Sequence, residues 1–590
     1  MASELFRIAP YEAENPTGVS LREAFVLLQN QLKPPFPLTI PSSPEYLQLN
    51  RAILFGVLVE PHLAKTHFIH LNAIVTDGYK FFVSLLLKIV TESYPKILES
   101  VRVQLIWVTS ELIDVSSIGV DNLLISLMRQ IVGGDYSNWN LWLCMELLKV
   151  LLAKWDWLLE EPFVLTSALF TYLRLLADHY RLSGTTQLDA LKRMEIDFCI
   201  RVLKEQFSLC LRIGRDLVRL LQDLGHIPEF RAIWKELLLN PGEFSAPGFL
   251  DISQLYHSRT SSRYLLLRIT PDMENQLRFL LTYVKLGRQK RYQMWFARKF
   301  LCGPERETII CDLVRFICCA HHPPNEILQS DIVPRWAIIG WLLTCCRKNH
   351  VQANVKLALL YDWLFFDEKI DNIMNIEPAI LLMVNSIPQY IDITCNLLEF
   401  LFLLMDNYDI ERKDVIAQGV SAAFGNLVRK GVVHSLDALT SCNELSPLLK
   451  ERLANIFPCL ESGVSEAHPI CVPCGSLLPL NLPSPSSMKR QTSVSSEQRT
   501  PICVPCGSLP PLNLPSPPST ERQTAVSSEQ RTPLCVSLPP LNLPSPSSTE
   551  RQTSVSNSSF KRAKDSFVCF PPTLEFAKSI KHGKADISFK

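Results

Sequence analysis

TPDMENQLRFLLTYVKLG, residues 270–287, decides how the rest of the chain is read. Thr270 is a helix N-cap residue type, and Pro271 suits the first helical position, where its missing N–H costs nothing. Met273, Leu277, Leu280, Leu281 and Val284 then recur at helical spacing and make one apolar stripe, and Gly287 is a natural stop. The same grammar repeats outward. In DNLLISLMRQIVGG, Asp121 opens a helix, Leu124, Leu127, Met128 and Ile131 form its face, and Gly133-Gly134 close it. NLWLCMELLKVLLAKWDWLLEEP reads as one longer helix ended by Pro162. Clean alternating strand patterns are scarce, and 21 glycines are few for a fold rich in tight β-turns. Connectors such as NPGEFSAPGF, CGPERE and HHPPNE are short. The expectation is an all-α chain in which helix pairs bury their faces against the next pair, an irregular HEAT/ARM-like α-α superhelix without a fixed period.

The chain has 590 residues, more than one compact core usually holds. Lys and Arg total 59 and Asp and Glu 58, so any pull on nucleic acid or an anionic membrane must come from a local patch. The first residues, MASELFRIAPYEAENP, contain no long apolar run of the secretory type. The longest uncharged apolar runs, such as WAIIGWLLTCC (336–346), are too short to cross a bilayer. A soluble intracellular protein with reduced cysteines is expected, most of its 18 thiols acting as small buried apolar groups.

Four segments are expected: a flexible stretch at 1–17, the helical domain at 18–460, a Pro/Ser-rich repeat region at 461–557 and a basic tail at 558–590. The repeats are plain: CVPCGSLLPLNLPSPSSMKRQTSVSSEQRTP starts at Cys471, a near copy starts at Cys503 and a shorter one at Cys535, a step of 32 residues. Such a segment forms no apolar face and is expected to be disordered. Ser484, Ser516, Ser545, Thr500 and Thr532 precede proline, and Ser493 and Ser554 follow an Arg-x-x pattern; all seven are candidate phosphorylation sites. The pairs Cys471/Cys474 and Cys503/Cys506 have zinc-ligand spacing, but duplication explains them without a metal.

No phosphate loop, nucleophile elbow, kinase loop set or H-E-x-x-H occurs, so neither catalysis nor a cofactor is expected. His67 and His70 share a helical face without a third ligand nearby. Cys318, Cys319, His321 and His322 are too close in sequence to converge on one ion, and a core helix ending before Pro323-Pro324 is the simpler reading.

One stretch asks for more. In GRQKRYQMWFARKFL (287–301), Tyr292, Trp295, Phe296 and Phe300 fall on one side of a helix and are expected to be core. Arg288, Arg291, Arg298 and Lys299 would form a basic rim, able to contact a partner or a nucleic acid.

Several stretches then resemble one family. GRDLVRLLQDLGHIPEF (214–230), TPDMENQLRFL, RQKRYQMWFARKFL, DIVPRWAIIGWLL (331–343), KLALLYDWLFF (356–366) and IMNIEPAIL (373–381) look like Integrator complex subunit 3, collinearly over roughly residues 50 to 457. ESYPKILESVRVQLIWVTSELI fits the same register. The resemblance implies a helical scaffold that holds an OB-fold single-stranded-DNA-binding protein and a small companion subunit, and that works with other Integrator subunits. It implies roles in the DNA damage response, small nuclear RNA 3′-end processing and transcription termination. It further implies a nuclear location, with a cytoplasmic pool allowed, no membrane contact, and nucleic acid reached through the partner. The resemblance also implies a C-terminal helical half, and after about residue 460 this sequence departs from that pattern, with the proline-rich repeats and the basic tail. The runner-up expectation is direct nucleic-acid binding through the basic rim and tail.

Overall fold

The computed structural model describes residues 4–456, apart from 8–9, 37–40, 245 and 304. These residues form 26 α-helices and seven short 3-10 helices in an irregular α-α superhelix; the only β pairing among them is two isolated bridges. Helix lengths run from 4 to 20 residues, which is why no sequence period appears. Within 1–17, Leu5 and Phe6 are buried, and the backbone of 5–7 pairs with that of 96–98. The first helix is Pro16–Leu28, capped by Asn15, whose side chain accepts from the N–H groups of Thr17 and Gly18.

The helix read from 270–287 exists, with a shorter end. It spans Pro271–Tyr283, and Thr270 Oγ1 accepts from Met273 N at 3.2 Å as a true N-cap. Met273, Leu277, Leu280, Leu281 and Val284 are all buried. The helix stops before Val284 because 284–286 pair with 331–333: Leu286 N donates to Asp331 O and Val333 N to Val284 O, each at 2.8 Å. A long-range partner for the backbone thus wins over the next helical turn. Gly287, at φ 89°, turns the chain after this pairing rather than ending the helix. The stretch 140–161 is likewise two helices, Asn138–Ala153 and Trp155–Glu160, broken at Lys154; Pro162 opens the next helix.

That next helix, Pro162–Tyr180, is central: all its residues from Val164 to His179 are buried. It packs against helices Val120–Met128, Thr186–Glu205 and Arg215–Leu224. Its charged residues and His179 are paired inside the protein. Arg174 meets Asp178 at 2.7 Å and Asp312 at 3.2 Å and donates to Thr308 O at 2.9 Å. His179 Nδ1 contacts both Glu195 oxygens at 2.9 and 3.0 Å.

A larger ionic cluster joins three segments far apart in sequence. Helix Arg215–Leu224 is buried at every position except Gln222, charges included. Arg215 reaches Asp362 at 3.4 Å and Asp371 at 3.1 Å. Arg315, on helix Ile310–Cys319, pairs with Asp216 at 2.6 Å and Asp362 at 3.0 Å, and Arg219 pairs with Asp216 at 2.9 Å. Cys319 Sγ donates to Asp362 Oδ2 at 3.0 Å. Burial alone would raise the Asp362 pKa; the guanidinium groups of Arg315 and Arg215 overcome it and hold the carboxyl well below the usual carboxylate range. Three arginines face three aspartates, so the cluster is neutral and sealed. It fixes which helices meet, because a misplaced neighbour would leave a buried charge alone. Nearby, Arg335 pairs with Glu377 and donates to Ile317 O at 3.2 Å.

Candidate functional site

The ionic cluster is closed to solvent and its charges are paired with one another, so the functional surface has to be sought outside it. The histidines singled out in the sequence each lie against other side chains of the protein. His67 contacts Glu60 at 2.9 Å, and His70 stacks on Phe36 with ring centroids 4.2 Å apart. His322 Nε2 lies 3.1 Å from both Cys318 O and Asn375 Oδ1, and His321 Nδ1 lies 3.3 Å from Arg278. Burial, with Arg278 and Arg335 beside it, pushes the His321 pKa down to about 4. No group of three or more His, Cys, Asp or Glu among the described residues is placed to hold a metal ion. All 11 described cysteines are free thiols. No helix among the described residues is long and apolar enough to cross a membrane.

The basic–aromatic stretch is different. It forms helix Lys290–Phe300. Gln293, Phe296 and Phe300 turn inward, and Phe296 packs on Phe300 at 4.7 Å and edge-on to Trp341 at 6.1 Å between centroids. The expectation that all four aromatics are core fails for two. Phe296 is 0% exposed, whereas its neighbour Trp295 is 45% exposed and Tyr292 40%. At about 100° per residue, Gln293, Phe296 and Phe300 fill a narrow inward arc; Tyr292 lies at its edge and Trp295 one step beyond. Tyr292 leans on Phe279 (5.6 Å), and Trp295 packs nearly perpendicular to Phe300 (6.2 Å).

All four cations picked from the sequence reach the surface here. Arg288 lies in the turn before the helix, and Arg291 and Arg298 stand on its outer side. None of these three has an ion pair or side-chain hydrogen bond among the described residues. Lys299 is already engaged: its ammonium is 2.6 Å from Asp272 and 5.0 Å from the Trp295 and Phe300 ring centroids. Lys285 is similarly held by Asp331 at 2.7 Å. Sequence reasoning missed the apolar members. Tyr283, Leu286 and Met294 are exposed beside the cations, and Lys290 adds a further free charge. Met294 was detectable, because it sits three residues from Arg291 and four from Arg298, on their side of the helix. The candidate phosphorylation sites Ser484, Ser493, Thr500, Ser516, Thr532, Ser545 and Ser554, and the paired cysteines, lie outside the described residues.

Comparison with known proteins places this arrangement. The family model for the Integrator complex subunit 3 N-terminal region matches residues 44–455, nearly all of the helical part. Integrator complex subunit 3 of Mus musculus is 42% identical over 415 residues, covering 70% of this chain and 40% of that protein. The protein of that name in Danio rerio is 43% identical over 402 residues, 68% of this chain and 39% of its own length. The Dictyostelium discoideum homolog is 42% identical over 409 residues, 69% of this chain and 27% of its own. The chain therefore matches two fifths or less of the length of these relatives. With a family model spanning most of it and relatives above 40% identity along the same stretch, the chain belongs to the Integrator complex subunit 3 family.

Proposed function

We propose that this chain is a non-catalytic scaffold subunit of an Integrator-type complex. In this reading, the platform at 18–460 docks an OB-fold single-stranded-DNA-binding protein, a small companion subunit and other Integrator subunits. The repeats at 461–557 serve as a linker open to phosphorylation, and 558–590 is a basic extension. The complex acts in the nucleus, in the response to DNA double-strand breaks and in small nuclear RNA 3′-end processing and transcription termination. The observation that supports this best is the match of an Integrator subunit 3 family model to 44–455, the part of the chain built as packed helices. Packed helices with a sealed ionic core offer rigid outer surfaces, which suits docking. The test is affinity purification of the tagged full chain from nuclei with mass spectrometry. Recovery of Integrator subunits together with an OB-fold protein is expected; recovery of neither overturns the reading.

A second reading is direct binding of nucleic acid. It is favoured by the free cations Arg288, Arg291 and Arg298 beside the exposed Tyr292 and Trp295. Purified chain would then bind a labelled oligothymidine without any partner, with affinity falling steeply as salt rises.

A further inference from the structure

We infer that the outer face of helix Lys290–Phe300 is a docking site for an acidic protein segment carrying bulky apolar side chains. This rests on the platform reading and names the chemistry of one of its partners. Large exposed apolar residues elsewhere in the described chain stand singly or in small groups, but Tyr283, Leu286, Tyr292, Met294 and Trp295 crowd into 13 residues. Arg291, Met294, Trp295 and Arg298 follow the spacing i, i+3, i+4, i+7, so they line one stripe with an apolar centre and an arginine at each end. Trp, Met and Arg are the side chains that anchor protein interfaces.

Charge selects the partner. The two carboxylates bordering the face, Asp272 and Asp331, are taken by Lys299 and Lys285. Arg288, Lys290, Arg291 and Arg298 are left with no ion pair among the described residues, four positive charges around an apolar strip. Arginine forks bind carboxylates through two parallel hydrogen bonds. Seven residues of helix rise about 10 Å, so the fitting segment has carboxylates about 10 Å apart with two bulky apolar groups between them.

The same geometry disfavours single-stranded nucleic acid. Base stacking needs open ring faces. The Trp295 ring has the Lys299 ammonium over it and Phe300 packed nearly perpendicular to it, and Tyr292 leans on Phe279. Leu286 and Met294 offer nothing to a phosphate.

The test is fluorescence anisotropy with the full chain and three dye-labelled probes. One is a 20-residue peptide with Leu and Phe at i, i+3, i+4 and i+7 and Glu or Asp at the flanking positions. The second is the same peptide with Lys in place of every acid, and the third is a 20-nucleotide oligothymidine. The acidic peptide is expected to bind and the basic one not to. Met294→Ala with Trp295→Ala, and separately Arg291→Glu with Arg298→Glu, should each weaken the acidic peptide about tenfold or more, the effect of losing an interface anchor. Both variants should melt as the parent does. Absence of acidic-peptide binding, equal binding of the basic peptide, or indifference to both variants overturns the inference. Oligothymidine binding that these variants abolish would also overturn it and assign the face to nucleic acid. Loss of Integrator subunits from the purification above would instead strike the platform reading and leave the peptide result standing.

Discussion

Arg215, Arg219 and Arg315 lie in the core and meet aspartates; Arg288, Arg291 and Arg298 stand on the surface and form no ion pair among the described residues. The side-chain chemistry is identical, and the surroundings give it opposite work. In the core, the attraction between charges is strong but so is the cost of removing them from water, so the cluster's value lies in what it forbids. A helix that slips out of register leaves a bare charge in apolar surroundings. On the surface, an isolated arginine adds almost nothing to stability. What it keeps is an unspent fork of donors.

The difference between buried and exposed charge should be largest at Asp362. Asp362→Ala leaves Arg215 and Arg315 short of a partner inside the core, and should cost about 3–5 kcal/mol in urea unfolding of the full chain. A loss below about 1 kcal/mol would mean the cluster is solvated, contrary to its burial.

Next is the boundary between the two regions, which runs between adjacent residues. Phe296→Ala empties a fully buried site and should cost about 3–5 kcal/mol.

Acid gives a smaller, graded effect. His321 is held near pKa 4 in the folded chain, so the unfolded chain binds its proton more readily between about pH 6.5 and 4. The contribution is fully present above about pH 6.5 and is lost as the pH falls towards 4. Asp362, held below the usual carboxylate range, adds a further loss below about pH 4. Burial pushes the carboxyls of Asp371 and Glu195 up, which works in the opposite direction. The clean comparison is therefore parent against His321→Asn, and the variant should show a shallower fall of melting temperature from pH 6.5 to 4. An unchanged slope would show that His321 does not titrate as described.

The smallest effect on stability is expected at Trp295→Ala, within about 0.5 kcal/mol of the parent despite the size of the side chain removed. A loss comparable to that of Phe296→Ala would move Trp295 into the core and remove the docking face.

Much of this was legible in the sequence, for physical reasons that differ by region. Thr270, Pro271 and the stripe Met273–Leu277–Leu280–Leu281 could be read because capping and helical periodicity are local. The basic side chains of 288–299 could be read because their spacing is local too. The helix end at Tyr283 could not, since it depends on 284–286 pairing with 331–333, nearly fifty residues away. The ionic cluster was hidden for a stronger reason. GRDLVRLLQDL looks like an amphipathic helix with a wet charged face, yet that face is covered by side chains 99 and 147 residues distant. Periodicity reveals that a helix has a polar side; it does not reveal whether water or another helix lies against it. The words that carry the family resemblance hold much of the answer, because Arg215, Asp216 and Arg219, Arg335, Asp362, and Asn375 and Glu377 all fall within them. Tyr292 and Trp295 were misjudged by one step of rotation, which a short helix packed through a narrow arc makes decisive.

The central claim is that surface cations of the 288–298 stretch serve contact and not folding. It is tested most directly by the triple variant Arg288→Glu, Arg291→Glu, Arg298→Glu of the tagged full chain, with melting temperature and recovered nuclear partners measured on the same preparation. The melting temperature is expected to stay unchanged while at least one partner is lost. A destabilised chain, or a stable one that recovers every partner in full, would contradict it.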